Sequence, residues 1–480
     1  MCTVACAMVR RILAAPRTPL ILLALVSLLS LAARSAWLGE PCQSPCNRAG
    51  DHTLVFDEAY YVNAARVIAG LRPAPGDHYA DAPPGTDPNA EHPQGAKLIM
   101  AASIELFGDG PFAWRLGSLI FGSIAILGVF ALVCAAGGNR WLALGASTLM
   151  ACDNLLLVHS RIGTLDIYVL APMLWGVALY LRGRVIPAGV VLAVAACFKL
   201  VAPYALLVLG LIELGRILTA RGNPHRPDGW TLKRALRRLI PCAFTAAGVF
   251  VGLLAIMDRI ATPYADADAK LITGGAFAHI AHMFSYAAQQ TSPHGPQGIA
   301  SYPWQWLFDY KPITYLRINP SNPGAGLGAI HPVSRFFGMI SPPIMVLWIP
   351  AMLFCLYRLV LASGLRRRQS GVQSAIADPS LASWESGSAA PTQVPIVALA
   401  WFLGTWVPFE LLSVIYSRTS YIYYMVIVMP GIYVAICYLL AGVWRLEAGN
   451  WARAARWSTG AWAFSVLAAV VVMYPFTPLF

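Results

Sequence analysis

Charge is what this sequence has least of. Asp, Glu, Lys and Arg make up 12% of its 480 residues, against 58% hydrophobic side chains. Soluble domains carry about twice that charged share, so a soluble globular enzyme is excluded and a polytopic membrane protein is expected. Ordered cysteine spacing is also missing. Ten cysteines are present, but most lie inside apolar runs, which spells out neither a disulfide scaffold nor a zinc motif. Cys42 and Cys46 are the exception. They flank a Gln-Ser-Pro tripeptide in a polar loop, where a local disulfide can form if that loop is exported. No internal repeat of the inverted kind is visible, which argues against many transporter folds. The formal charge of +12 does not imply nucleic acid, because the basic residues sit in short loops between apolar runs.

What is present is a series of segments long enough, or nearly so, to cross a bilayer, which takes about 20 residues. Eleven are read: 19–38, 112–136, 141–158, 164–181, 185–201, 203–219, 239–261, 337–361, 394–415, 421–444 and 457–476. Arg10, Arg11 and Arg17 precede the first, which reads as an uncleaved signal-anchor. Positive residues orient the rest. Arg140, Arg182, Arg184, Arg221, Arg226, Lys233, Arg234, Arg237, Arg238 and Arg366 to Arg368 fall on the side expected to be cytoplasmic, with the N-terminus. Loops 39–111, 159–163, 262–336 and 416–420, and the C-terminus, fall on the other face of a cell membrane. Loop 39–111 is acidic. Within it, 73–90 reads as a mobile Pro/Gly/Asp-rich loop, and Leu98 to Phe107 as a helix lying along the membrane surface. Residues 362–393 read as a cytoplasmic linker.

The polar clusters gather on the outer side. Asp57 and Glu58 open a short helix that runs to about Gly70. Two acids there either favour a helix N-terminus or serve a reaction at the membrane surface. His92 stands in His-Pro-Gln-Gly-Ala-Lys, a solvated histidine or part of a site. Arg161 lies between Asp153 and Asp166 and either pairs with one of them or faces an anionic headgroup, to which its fork of donors is suited. Lys199 either snorkels to the interface or neutralises a phosphate. Trp304 and Trp306 are either interfacial belt residues or platforms for a sugar. Arg418 precedes an aromatic-rich helix start. No metal cluster stands out; His92 with Glu91 and Asp57 is the weak candidate for a divalent cation.

Six segments then carry a resemblance: FDEAYYVNAARVI; HPQGAK followed by LFGDGPFAWRLGSLIFG; ACDNLLLVHSRIGTLDIYVL; AACFKLVAPYALL; SYPWQWLFDYKPITY; and RTSYIYYMVIVMP. In this order they resemble the bacterial protein O-mannosyltransferase family of GT-C glycosyltransferases. The resemblance implies an all-α membrane domain with about eleven transmembrane helices and surface helices in the first outer loop. It implies an outward site, a polyprenyl-phosphate sugar donor and a Ser/Thr hydroxyl acceptor. Asp57 and Glu58 match the family's catalytic acidic pair, and Lys199 matches a lysine of its fifth span. The family usually reads HPPLGK where this chain has HPQGAK, and the 73–90 insert is long. Loop 262–336 is too short for the β-trefoil module of the eukaryotic members.

The expected reaction is transfer of a sugar, mannose by resemblance, to exported protein, with Asp57 as base and Glu58 positioning. Arg161, Lys199 and Arg418 would hold the donor phosphate, and His92, Trp304 and Trp306 the sugar or acceptor. No cofactor or metal is expected. The same fold acting on a glycolipid, lipid A or cell-wall polysaccharide is the alternative. A transporter and a non-catalytic scaffold are the rivals from other classes.

Overall fold

The computed structural model describes residues 15–43, 45–221, 230–318, 333–362, 393–446 and 449–477. Nearly all of the expected 362–393 linker, with Arg226 and Arg366 to Arg368, lies outside the described residues. Among the described residues, seven helices are long and apolar enough to cross a membrane. They are α1 (Thr18–Ser35), α4 (Pro111–Ala135), α10 (Leu232–Ile260), the run Pro342–Leu361 made by α13 (Pro342–Met345) and α14 (Trp348–Ala362), α15 (Gln393–Tyr416), the run Ile422–Val443 containing α16 (Met425–Val443), and α17 (Asn450–Met473). Two shorter apolar helices are α7 (Leu165–Leu181) and α8 (Val185–Ala196). Between α8 and α10 comes α9 (Tyr204–Arg221), which carries Glu213 and Arg216 inward.

The expected segment 141–158 is not one helix. It breaks at Asp153 into α5 (Arg140–Cys152) and α6 (Asn154–His159). Asp153 caps α6, accepting from Leu155 N–H at 3.3 Å, and also accepts from Ser341 N–H at 2.9 Å and from the Tyr433 hydroxyl. A side chain that takes backbone N–H groups in this way competes with helix continuation. Burial sorts the helices. α7 is apolar on every face and buried along nearly its whole length, as a helix without a polar stripe must be. By contrast α17 leaves Trp457, Phe464 and Val471 exposed, the face expected toward lipid. α4 and α7 approach closely at Gly117, where a Cβ would lie 2.0 Å from the Tyr168 hydroxyl.

The outer loops are sewn together rather than free, and they add small sheets to an otherwise helical chain. Loop 39–111 holds α2 (Glu58–Ile68), β1 (Thr86–Asp87) and α3 (Gly95–Phe107). β1 pairs in parallel with β2 (Thr262–Ala265) of the second loop, which pairs antiparallel with β3 (Lys270–Leu271). The 73–90 insert is thereby anchored. Lys97 in α3, wholly buried, donates to Asp87 at 2.6 Å and to the His92 carbonyl at 2.9 Å. The second loop adds α11 (Gly275–Gln289), α12 (Pro303–Trp306) and a hairpin of β4 (Ile313–Ile318) and β5 (Ser334–Gly338). Cys42 and Cys46 form a disulfide. At the opposite end of the bundle Arg140 donates to the Pro16 carbonyl at 2.8 Å. Buried Glu213 there accepts from the Tyr180 hydroxyl and from Arg216, each at 2.9 Å.

Candidate active site

The two adjacent acids at the start of α2 have opposite surroundings. Phe56 takes a φ of +56°, rare for a bulky residue. It is held there by stacking on Tyr315, ring centres 4.0 Å apart, with the edge of Tyr423 at 5.6 Å. Past this bend Glu58 turns inward and is fully buried. It accepts both terminal contacts of Arg115, from Nε at 2.8 Å and Nη2 at 2.7 Å. It also accepts from Gly163 N–H at 2.7 Å and Val55 N–H at 2.8 Å. Arg115 in turn reaches the Leu38 and Glu40 carbonyls. Glu58 thus ties α2 to α4, to the end of α1 and to the turn before α7.

Asp57 is only half-buried, and its carboxylate has no hydrogen-bond partner among the described residues. Loss of solvation is the main cause that pushes its carboxyl up to about 7; the Lys199 charge opposes this and the Asp166 charge adds to it. A carboxylate of that kind changes protonation near neutral pH.

Lys199 sits in the turn between α8 and α9, where its ammonium donates to Asp166 Oδ1 at 2.7 Å. It also lies over the rings of Tyr424 at 4.9 Å and Tyr423 at 5.3 Å. Asp166 stands in the first turn of α7. The N-terminus of α3 presses on the same turn. Gly95 N–H donates to the Cys197 carbonyl at 3.0 Å, and a Cβ at Gly95 would lie 2.6 Å from that oxygen. This close approach places His92 nearby, 6.0 Å from the Tyr61 ring. Burial first, then the charges of Lys199, Lys97 and Arg418, hold the His92 imidazole well below its usual pKa, so it is neutral. Arg418 is half-buried and donates to the Ala287 carbonyl, while its backbone bridges to Thr291.

The structure therefore gathers Asp57, His92, Lys199 and Arg418 about one region. Arg161 is held elsewhere, and Trp306 packs edge-on against Tyr424, ring centres 6.0 Å apart. Arg161 is 1% exposed; it donates to the Ala36 and Trp37 carbonyls at 2.9 and 3.2 Å and lies over the Phe476 ring at 4.7 Å. It forms neither expected acid pair, since Asp166 bonds Lys199 and Asp153 bonds Tyr433 and Ser341. Trp306 is 1% exposed, with its indole N–H on Ser301, whereas Trp304 is 48% exposed. Asp166 was expected as a partner of Arg161 and serves Lys199 instead; Tyr315, Tyr423 and Tyr424 were not singled out by sequence, although they lie within the quoted segments. His159 joins them, with Nδ1 3.0 Å from Thr164 Oγ1 and Nε2 2.8 Å from the Tyr315 hydroxyl. Asp57, Glu91 and His92 do not converge as a ligand set among the described residues. The one grouping that does, Glu40 with Cys42 and Cys46, has both sulfurs in the disulfide.

Residues 99–251 match the family model described as dolichyl-phosphate-mannose-protein mannosyltransferase. The polyprenol-phosphate-mannose–protein mannosyltransferase of Mycolicibacterium smegmatis is 24% identical over 394 residues, which is 70% of this chain and 71% of that protein. The chain resembles the protein mannosyltransferases. The enzyme of that name from Corynebacterium glutamicum is 34% identical over 119 residues, 24% of this chain and 22% of that protein's length. The solved S. cerevisiae protein O-mannosyltransferase Pmt1-Pmt2 complex, bound to the sugar donor, has a chain that superposes with a TM-score of 0.62 at 12% identity. That superposition covers 96% of this chain and 90% of the yeast chain. The chain thus shares the fold of that yeast chain.

Proposed function

We propose that this chain is an inverting glycosyltransferase that moves mannose from a polyprenyl-phosphate donor to Ser or Thr hydroxyls of exported proteins. The observation that carries the reading is a carboxylate, Asp57, with no hydrogen-bond partner among the described residues, beside a buried ammonium, Lys199. The acceptor oxygen attacks the anomeric carbon, and its proton passes to Asp57. The bond from that carbon to the phosphate oxygen breaks, and the polyprenyl phosphate leaves with both electrons. Lys199, and Arg418 at the rim, face the charge that grows on the leaving group, where a fixed cation is worth most. Glu58 acts one step back, by fixing the helix start from which Asp57 projects. Neutral His92 gives or takes a hydrogen bond from the sugar or the acceptor. In this reading the Asp57 end faces the outside of the cell membrane and the arginine-rich end the cytoplasm. No metal enters the reaction, because the leaving group's charge is met by side-chain cations.

The glycolipid alternative rested on the altered HPQGAK segment. Gln94 is fully buried there and donates to Asp258 at 2.7 Å. The departure docks α3 onto α10, and so it does not argue for a different acceptor. The test supplies purified protein with labelled polyprenyl-phosphate-mannose, a threonine peptide and a membrane lipid extract. Label on the peptide supports the reading. Label in the lipid fraction favours the glycolipid acceptor, and no transfer overturns both.

A further inference from the structure

The same helix that presents Asp57 has a second polar face. On α2, Asp57 and Tyr61 lie on one side, whereas Ala59, Asn63 and Arg66 lie about half a turn away. That second side lines a cavity of about 720 Å³ whose outer wall is residues Arg72 to His78 of the insert. Its volume is that of a small-molecule site. The floor is built. Arg66 is 8% exposed, donates through Nε to both Asp109 oxygens at 3.0–3.1 Å and through Nη1 to Asn63 at 2.8 Å, and lies over the Trp114 ring at 4.7 Å. Its Nη2 has no partner among the described residues. Arg66, which lines the cavity, thus keeps both N–H groups of Nη2 free to bond there.

The charges in the lining cancel. The lining holds two arginines, Arg66 and Arg72, and two aspartates, Asp77 and Asp109, so it offers donors and acceptors without formal net charge. His52 also lines it, and its Nδ1 donates to the Gly39 carbonyl at 2.7 Å, which leaves Nε2 as an acceptor. An anion would find Asp77 and Asp109 opposed to it. A sugar fits, because each hydroxyl both gives and accepts a hydrogen bond. The route from Asp57 is short. Tyr60, 41% exposed, sits between the two faces of α2, with His78 stacked on it at 4.0 Å. A helix is about 10–12 Å across, and extended chain covers about 3.3–3.6 Å per residue, so the span is about three or four residues.

We propose that this cavity binds a sugar already attached to the acceptor polypeptide, three or four residues from the hydroxyl at Asp57. This rests on the glycosyltransferase reading above. The enzyme would then favour clustered sites, each new sugar improving the next acceptor. The test uses three synthetic peptides with one free threonine each and, four residues away, valine, O-mannosyl-threonine or glutamate. The wild type should use the mannosylated peptide about tenfold better in kcat/KM through KM, the worth of one or two net hydrogen bonds. Arg72→Ala with His78→Ala, both exposed loop positions, should abolish that preference and leave the valine peptide's rate unchanged. Equal rates on all three peptides, preference for glutamate, or a preference that survives the double variant would overturn the proposal. Failure of transfer to every peptide would instead strike the glycosyltransferase reading.

Discussion

Glu58→Gln should unsettle the protein far more than the change of one atom suggests. Glutamine matches glutamate in shape, but Glu58 accepts four hydrogen bonds, two of them from Arg115. The amide can accept at one end only; at the other its NH₂ meets donors. Arg115, 1% exposed, is left charged and unmatched. Removing one partner of a buried pair costs about 3–5 kcal/mol. For a chain of 480 residues the unfolding entropy is on the order of 1 kcal/mol per kelvin, so Tm should fall by about 3–5 °C. The fall can be read in detergent with a thiol-reactive dye, because Cys197, Cys242 and Cys355 are free and buried. Adding Arg115→Met to Glu58→Gln removes the stranded charge and should restore more than half of the loss, a coupling that a double-mutant cycle measures. Asp57→Asn should act with the opposite sign. The folded state raises the Asp57 pKa from 3.8 to about 7, so its ionised form weakens the fold, and stability falls as pH rises between those values. Above pH 7 the asparagine variant should be at least as stable as wild type. A Glu58→Gln protein that melts with wild type would refute the anchoring role.

The pH dependence follows from the same group. Only ionised Asp57 accepts a proton, so kcat/KM should rise with pH through about 7 and level off above it. Lys199→Met should move that limb to higher pH, because the Lys199 charge favours the ionised carboxylate, and should also weaken donor binding; an unmoved limb would separate Lys199 from the site. Chelation with EDTA should leave transfer unchanged, and a loss restored by a divalent cation would put a metal into the reaction. In a background without reactive cysteines, Asp81→Cys and Gln297→Cys should react with an impermeant thiol reagent on intact cells and Lys233→Cys should not. The reverse pattern would invert the orientation.

The bundle was largely legible because apolar length is a local signal. The break at Asp153 was not, because it depends on Ser341 and Tyr433, distant in the chain. Asp57 stood out as one of two adjacent acids beside the membrane, and Lys199 as a lone charge at the end of an apolar segment. Arg161 stood out between two acids and lies elsewhere, since the carbonyls and rings that receive it come from α1, β5 and the C-terminal segment. Sequence assigned Asp57 as base and Glu58 to positioning, but did not show the buried pair with Arg115 that holds Glu58. The φ of Phe56 turns Glu58 inward, and Tyr315, far along the chain, supports that φ. Trp304 and Trp306 looked equivalent, yet only a helical turn decides which is buried. The insert read as mobile because its partners are β2 and Lys97, neither visible from its composition.

The central claim is that Asp57 takes the acceptor's proton, and Asp57→Asn tests it most directly. The measurement is single-turnover mannose transfer together with donor affinity, on purified protein above pH 7. Loss of the base should lower the transfer rate by about a hundredfold or more, with donor affinity kept within about twofold, because the proposed phosphate contacts, Lys199 and Arg418, are untouched. If Asp57 only favours the start of α2, asparagine would serve there nearly as well, and transfer at close to the wild-type rate would contradict the account.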